Sequence, residues 1–273
     1  MKWISLGVLY LVAATVAATA AAQDRVARAP SGAVQATRAA ASPAEAAIER
    51  AAATNKYTFL FFWKEQNRQT DAVWNELQPA IGRLADAAEC VSVQTSSPAE
   101  KAVVDRYGVS RAPMPLILAI APNGAITKAF PGKFEERELA SAFVSPCTQR
   151  CLKALQDRRL VFLCVRDWPP EARTVAIPQG ISDFKADSRF AQATEIVLLN
   201  VRDQRESGLL RELEIDPRAA APVTVFLAPP GTTIGKFGET VTKIELAARL
   251  AAAQSGPCAG GKCGPNGCGP KNQ

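Results

Sequence analysis

The sequence contains no histidine. That absence removes histidine general bases, Ser-His and Cys-His nucleophile pairs, and every histidine-containing metal site. Any chemistry must come from thiols, carboxylates, lysines or the three tyrosines. A Walker sequence and the glycine pattern of a dinucleotide-binding turn are also missing, and Asn123-Gly124 and Pro230-Gly231 read as hairpin turns instead. The net charge of +6 is spread along the chain without a basic block carrying interleaved aromatics, which argues against nucleic acid as a partner. No cysteine closely follows the first apolar run, so a lipoprotein anchor is not expected.

That apolar run is the first positive signal. Met1-Lys2 gives a charged start, no charge follows until Asp24, and the stretch ends in the small residues Ala20-Ala21-Ala22. Residues 1–22 therefore read as a secretory signal peptide. The run is about long enough to span a membrane, but alanine and threonine crowd its second half and favour cleavage over anchoring. The expectation is an exported protein, periplasmic or extracellular, with no stable membrane anchor after cleavage. Residues 23–41 are Ala-rich, with two valines as their only large aliphatics, and cannot offset the entropy of ordering; they read as a flexible leader.

Order is expected from Ser42-Pro43-Ala44-Glu45, where Ser42 caps a helix, Pro43 suits its first turn and Glu45 completes a capping box. The period then changes. YTFLFFW (57–63) predicts a strand buried on both faces, and residues 70–87 predict an amphipathic helix through Val73, Trp74, Leu77, Ile81 and Leu84. CVSVQT (90–95) predicts a second strand, residues 98–106 a short helix, and a strand pair turning at Asn123-Gly124 is followed by a helix over 135–144. The same order then recurs: Ser145-Pro146 opens a helix, LVFLCV (160–165) answers TFLFFW, and EIVLLNV (195–201) answers ECVSVQT. PVTVFLAPPGTTIGKF answers PMPLILAIAPNGAITKAF, and IELAARLAAA answers RELASAF. Two α/β units in tandem, 42–144 and 145–253, account for this repetition, with the short junction at 143–145 implying close packing. Residues 254–273 form a Gly- and Cys-rich tail read as disordered.

The element order resembles the thioredoxin fold, a central mixed sheet flanked by helices. Tyr107-Gly108-Val109-Ser110-Arg111-Ala112-Pro113 has the spacing of that family's Y-G-V-x-x-x-P stretch before a strand pair, and Ile215 through Pro222 stands in the same place in the second unit. The resemblance implies cis bonds at Pro113 and Pro222, with Pro115 as the alternative in the first unit, and a groove beside the cis-proline that receives extended peptide. It also implies a C-x-x-C dithiol at the turn after the first central strand. There the sequence departs from the family: Asn67 and Thr70 occupy the two positions in the first unit, and Trp168 and Glu171 in the second. Without an attacking thiolate, disulfide exchange at the family's usual place is not expected.

Seven cysteines remain, an odd number for an exported chain. Cys90 and Cys164 fall in predicted strands and read as small buried apolar residues. Cys147 and Cys151 lie one helical turn apart near a helix start, which leaves open a strained disulfide, two unlinked thiols of which Cys147 has a lowered pKa, or a tie to the tail. In the tail, Cys258, Cys263 and Cys268 recur every five residues among glycines and prolines. Three soft ligands on a loop suit Cu(I) better than Zn(II); disulfide linkage and the absence of any dedicated role stay open beside metal binding. The expected function is protein or peptide binding by a redox-inactive thioredoxin-like protein, the alternative a thiol-disulfide or Cu(I)-handling protein using the C-terminal cysteines.

Overall fold

A computed structural model describes residues 42–169, 175–218 and 221–254. The first unit contains α1 (Pro43–Ala53), β1 (Tyr57–Trp63), α2 (Arg68–Gly82), β2 (Ala88–Gln94), α3 (Lys101–Tyr107), β3 (Leu116–Ile120), β4 (Ile126–Pro131) and α4 (Glu136–Ala140). The second contains α5 (Pro146–Gln156), β5 (Leu160–Arg166), α6 (Gln179–Ala186), β6 (Thr194–Asn200), α7 (Ser207–Glu212), β7 (Val223–Ala228), β8 (Thr232–Phe237) and α8 (Lys243–Gln254).

Each unit builds one four-stranded mixed sheet, ordered β2-β1-β3-β4 and β6-β5-β7-β8. The central strand of each pairs parallel on one side and antiparallel on the other. This position explains why β1 is apolar but for Thr58. Phe59 and Phe61 enter the layer under α2, while Leu60 and Phe62 enter the opposite layer with Ile48, Val103 and Tyr107. All four are essentially fully buried, and burying such a side chain contributes roughly 1.5–3 kcal/mol.

The local start signals work as their chemistry demands. Ser42 Oγ accepts from the Glu45 N–H at 3.0 Å while Glu45 Oε2 accepts from the Ser42 N–H at 3.1 Å. Ser145 Oγ accepts from the Thr148 N–H at 3.3 Å in the second unit. Gly124 (φ +82°) and Gly231 (φ +140°) occupy the two hairpin turns, where the backbone enters a region that side chains disfavour. Two helices are shorter than their pattern predicts. α2 ends at Gly82, with Pro79 in its last turn. α4 covers only Glu136–Ala140.

The cis bonds are Met114–Pro115, the alternative given for the first unit in place of Pro113, and Pro229–Pro230 in place of Pro222. In the first unit a left-handed Gly108 ends α3, and a 3₁₀ turn over Val109–Arg111 consumes the following residues. Pro115 is thus the residue that enters β3, and its carbonyl accepts from the Gly132 N–H at 2.8 Å. In the second unit Pro222 enters β7 through a trans bond. The cis bond lies at the far end of that strand, where Gly231 N–H closes the turn on Ala228 O at 2.8 Å with Pro230 in the third position.

The units meet where α5 lies against the first unit's hairpin. Tyr57 Oη donates to Val144 O (3.1 Å) and accepts from Val144 N–H (3.0 Å) and Gln149 Nε2 (3.0 Å). Asn123 Nδ2 donates to Gln149 O at 2.9 Å. Gln156 behaves as one residue of an added strand: its Oε1 accepts from Ile126 N–H (2.9 Å) and its Nε2 donates to Ile126 O (2.6 Å). The exposed edge of β4 is satisfied there by a side chain.

Candidate functional site

The turn between β1 and α2 is the place where a dithiol would stand. Asn67 is the N-cap of α2, and its Oδ1 accepts from the N–H groups of Gln69 (3.0 Å) and Thr70 (2.9 Å). These are the helix N-terminal donors that would otherwise stabilise a thiolate. Thr70, buried, turns its hydroxyl back to donate to Glu65 O at 3.0 Å. The structure therefore brings Asn67 and Thr70 together, each satisfied within the turn, and neither side chain ionises.

Beside this turn lies a cleft of about 190 Å³ lined by Phe61, Trp63, Gln66, Thr70, Asp71, Trp74 and Ser92. Trp63 Nε1 donates to Ser92 Oγ at 2.8 Å, and Phe61 and Trp74 stand 5.3 Å apart between ring centres. The cleft is aromatic on its walls and carries one charge, the Asp71 carboxylate, which accepts from Gln66 Nε2 at 3.3 Å.

The equivalent turn of the second unit is braced by ion pairs. Arg202 grips Asp167 through Nε (2.5 Å) and Nη2 (2.7 Å), which holds the Asp167 carboxyl below the usual carboxylate range. Arg166 bonds Ala176 O and Glu239. The Trp168 carbonyl accepts from Asn200 Nδ2 at 2.9 Å, while Glu171 lies outside the described residues. A wider cleft of about 470 Å³ opens between this turn and the start of β7, floored by Val165, Val201, Ile215 and Val223, with Arg166 and Pro222 among its walls.

The four described cysteines are all unbonded. Cys147 and Cys151 pack into the core beneath β5 and β6, and burial pushes both thiols up, Cys147 to about 12 with Glu206 adding to the effect. This reverses the lowered value expected at a helix start. The Cys147 N–H is already taken by Glu206 Oε1 at 3.0 Å, and Sγ faces Leu198 O at 3.4 Å, so a buried carboxylate stands where a cation would be needed. Burial also raises Cys164, and pushes the half-buried Cys90 up to about 11 with help from Glu89. Among the described residues no group of three or more Cys, Asp or Glu is placed to hold a metal ion. Cys258, Cys263 and Cys268 lie outside the described residues.

Pattern reading does not find the aromatic cleft, because Trp63 and Trp74 read as ends of a strand and of a helix face. Their joint appearance beside the turn depends on packing between α2 and β1.

No protein-family model matches the sequence, and no curated protein matches it. Among solved structures the chain is similar to the NTD_N/C domain of the alkylhydroperoxide reductase AhpF from Enterococcus faecalis, with 15% identity over 76% of this chain and 98% of that one (TM-score 0.27). It is also similar to the first two thioredoxin domains of Saccharomyces cerevisiae Eps1p, with 11% identity over 72% and 92% (TM-score 0.26). A third is a disulphide isomerase from Xylella fastidiosa, with 17% identity over 34% and 80% (TM-score 0.29). At these identities and scores the neighbours add nothing beyond what the sheet topology defines: two thioredoxin-like domains, each a mixed four-stranded sheet flanked by helices.

Proposed function

We propose that this is an exported thioredoxin-like protein that binds other proteins or extended peptides and exchanges no disulfides at its two turns. One observation carries the reading: Asn67 occupies the α2 donors with a carboxamide, and Thr70 spends its hydroxyl on Glu65 O. A turn satisfied in this way offers neither a nucleophile nor a free donor set for one. Of the thiols elsewhere in the described residues, Cys147, Cys151 and Cys164 are buried and Cys90 is half-buried, and burial raises the pKa of all four, so they do not substitute for the missing pair. Clefts beside both turns remain as binding surfaces. Export rests on the charged, apolar and small-residue order of residues 1–22. Among the described residues no helix is long and apolar enough to cross a membrane.

The test is to assay insulin disulfide reduction and to titrate Cu(I) and Zn(II), each with and without residues 256–273. The expected result is no reductase activity in either form. Activity that survives removal of the tail sinks the binding reading. Tight Cu(I) binding that disappears with the tail promotes the alternative, a metal-handling role for Cys258, Cys263 and Cys268.

A further inference from the structure

The two sheets end in matching edge strands that are treated differently. Tyr57 N–H donates to Ala87 O, and Trp63 O accepts from Thr95 N–H, both on the β1 side of β2. Odd-numbered residues of β2 therefore direct their backbone groups at β1, and even-numbered residues direct theirs away from the sheet. The same parity holds in β6, where Leu160 N–H donates to Ala193 O.

In β6 the outward carbonyls are covered. Thr194 O accepts from Arg159 (2.9 Å) and Lys185 (2.7 Å), Ile196 O from Arg150 (3.4 Å), and Leu198 O from Cys147 Sγ (3.4 Å). Counted from Ser42 and Ser145, the first-unit counterparts of Cys147, Arg150 and Arg159 are Ala44, Ala47 and Lys56. The alanines cannot reach, and Lys56 Nζ bonds Ala85 O instead. The N–H and C=O groups of Cys90 and Ser92 consequently have no partner among the described residues, and Ser92 is exposed.

We propose that the free edge of β2, together with the Phe61–Trp63–Trp74 cleft beside it, is a strand-addition site for an extended segment of another protein bearing an apolar side chain next to a basic one. An added strand would exchange backbone hydrogen bonds with Cys90 and Ser92. Side chains at those positions face the α2 layer, since Cys90 packs against that core and Ser92 lines the cleft. A residue of the added strand alongside them points into the same layer, where the cleft has room for one leucine- or phenylalanine-sized group. The exposed Asp71 carboxylate in the lining has no cationic partner among the described residues, and so selects a lysine or arginine near the anchor. A second copy of β2 would bring only Cys90, Ser92 and Gln94 to the cleft, and residues 23–41 offer no apolar side chain larger than valine. Neither fills it. This inference rests on the peptide-binding reading above and supplies its surface and recognition mode.

The test uses the full chain and fluorescence anisotropy with a fluorescein-labelled, threonine-rich peptide of about ten residues carrying one leucine and a lysine two positions on. Two further versions carry N-methyl groups on alternate amides, one on each edge of the strand. One methylated edge is expected to weaken binding by about tenfold or more while the other is tolerated, because only one edge donates to β2. Ser92→Pro, which removes an outward N–H from an edge position that tolerates proline, is expected to weaken binding equally, and Asp71→Lys to reverse the preference for lysine over glutamate in the peptide. Binding that ignores both methylation patterns and Ser92→Pro overturns the edge site but leaves peptide binding standing. Failure of the wild-type chain to bind any of these peptides overturns both. The methylated peptides need no change to the protein, so the result does not depend on a variant folding.

Discussion

Placing cysteines at positions 67 and 70 together would rebuild a C-x-x-C at the N-terminus of α2. Asn67 Oδ1 now accepts from two backbone N–H groups at 3.0 and 2.9 Å, and a thiolate introduced at that cap would face the same donors. An ordinary cysteine with a pKa near 8.5 is about 3% thiolate at pH 7. Lowering it to about 7, as helix N-termini do in C-x-x-C motifs, would make roughly half of it thiolate. The structural cost is modest: loss of the asparagine cap is about 1 kcal/mol, and loss of the Thr70–Glu65 bond about another 1 kcal/mol. The double variant Asn67→Cys/Thr70→Cys is therefore expected to melt roughly 4–8 °C lower. Peptide-resolved alkylation followed by mass spectrometry should show the introduced N-cap thiol reacting at pH 7 much faster than Cys90, Cys147, Cys151 or Cys164. Insulin reduction should appear, against the absence of activity expected of the wild type. If the introduced thiol titrates at or above the ordinary value, the argument from the α2 donors is wrong. If it ionises early and insulin still stays oxidised, the missing dithiol does not by itself account for the inactivity proposed for this turn.

Other expectations follow from the same contacts. Tyr57→Phe strips partners from Val144 and Gln149 between the units and should lower stability by about 1–3 kcal/mol in urea titration. Burial raises the folded-state pKa of Tyr57 above its unfolded value, so its own contribution should be intact below about pH 10 and be lost as pH rises through the folded pKa; Tyr57→Phe should remove that share of the alkaline loss and leave the share of the buried cysteines and Tyr107. Native-state alkylation at pH 8 should leave Cys147, Cys151 and Cys164 unmodified and Cys90 only slowly modified, with all four reacting in urea; rapid native labelling of Cys147 would contradict its burial. A Cβ at Gly180 would lie 2.1 Å from Val241 O and 2.9 Å from Thr242 Cα, both backbone atoms, so Gly180→Ala should cost about 3 kcal/mol by thermal melting.

Much of the fold is legible in the sequence because its signals are local. The seven-residue span of β1 is aromatic and aliphatic apart from Thr58, with no charged interruption, and it is a strand over those same residues. Ser42-Pro43-Ala44-Glu45 carries its own capping chemistry, and the repetition after Ser145 needs only the second pass of the same pattern. Family spacing leaves Pro113 and Pro115 open in the first unit, and the 3₁₀ turn after Gly108 takes up the residues that make Pro115 the one entering β3; in the second unit the spacing points to Pro222, whereas the cis bond is at Pro230 beyond β7. The thiol of Cys147 departs from its local expectation for a related reason. Its place on α5 is local, but the burial that raises it, and Glu206, which adds to the effect from 59 residues away, are set by tertiary packing.

The sequence alone determined that two α/β units follow one another, where their central strands lie, and that no cysteine stands at either turn. Composition, period and capping residues carry that information at short range. Only the tertiary structure decided that Gln156 satisfies Ile126 on the β4 edge, that Arg150 and Arg159 cover carbonyls of β6, and that the outward backbone groups of Cys90 and Ser92 find no partner among the described residues beside Trp63 and Trp74. Those outcomes depend on which side chains from distant segments reach a given backbone group. Position along the chain does not set that distance; packing of α1 and α5 against their sheets does.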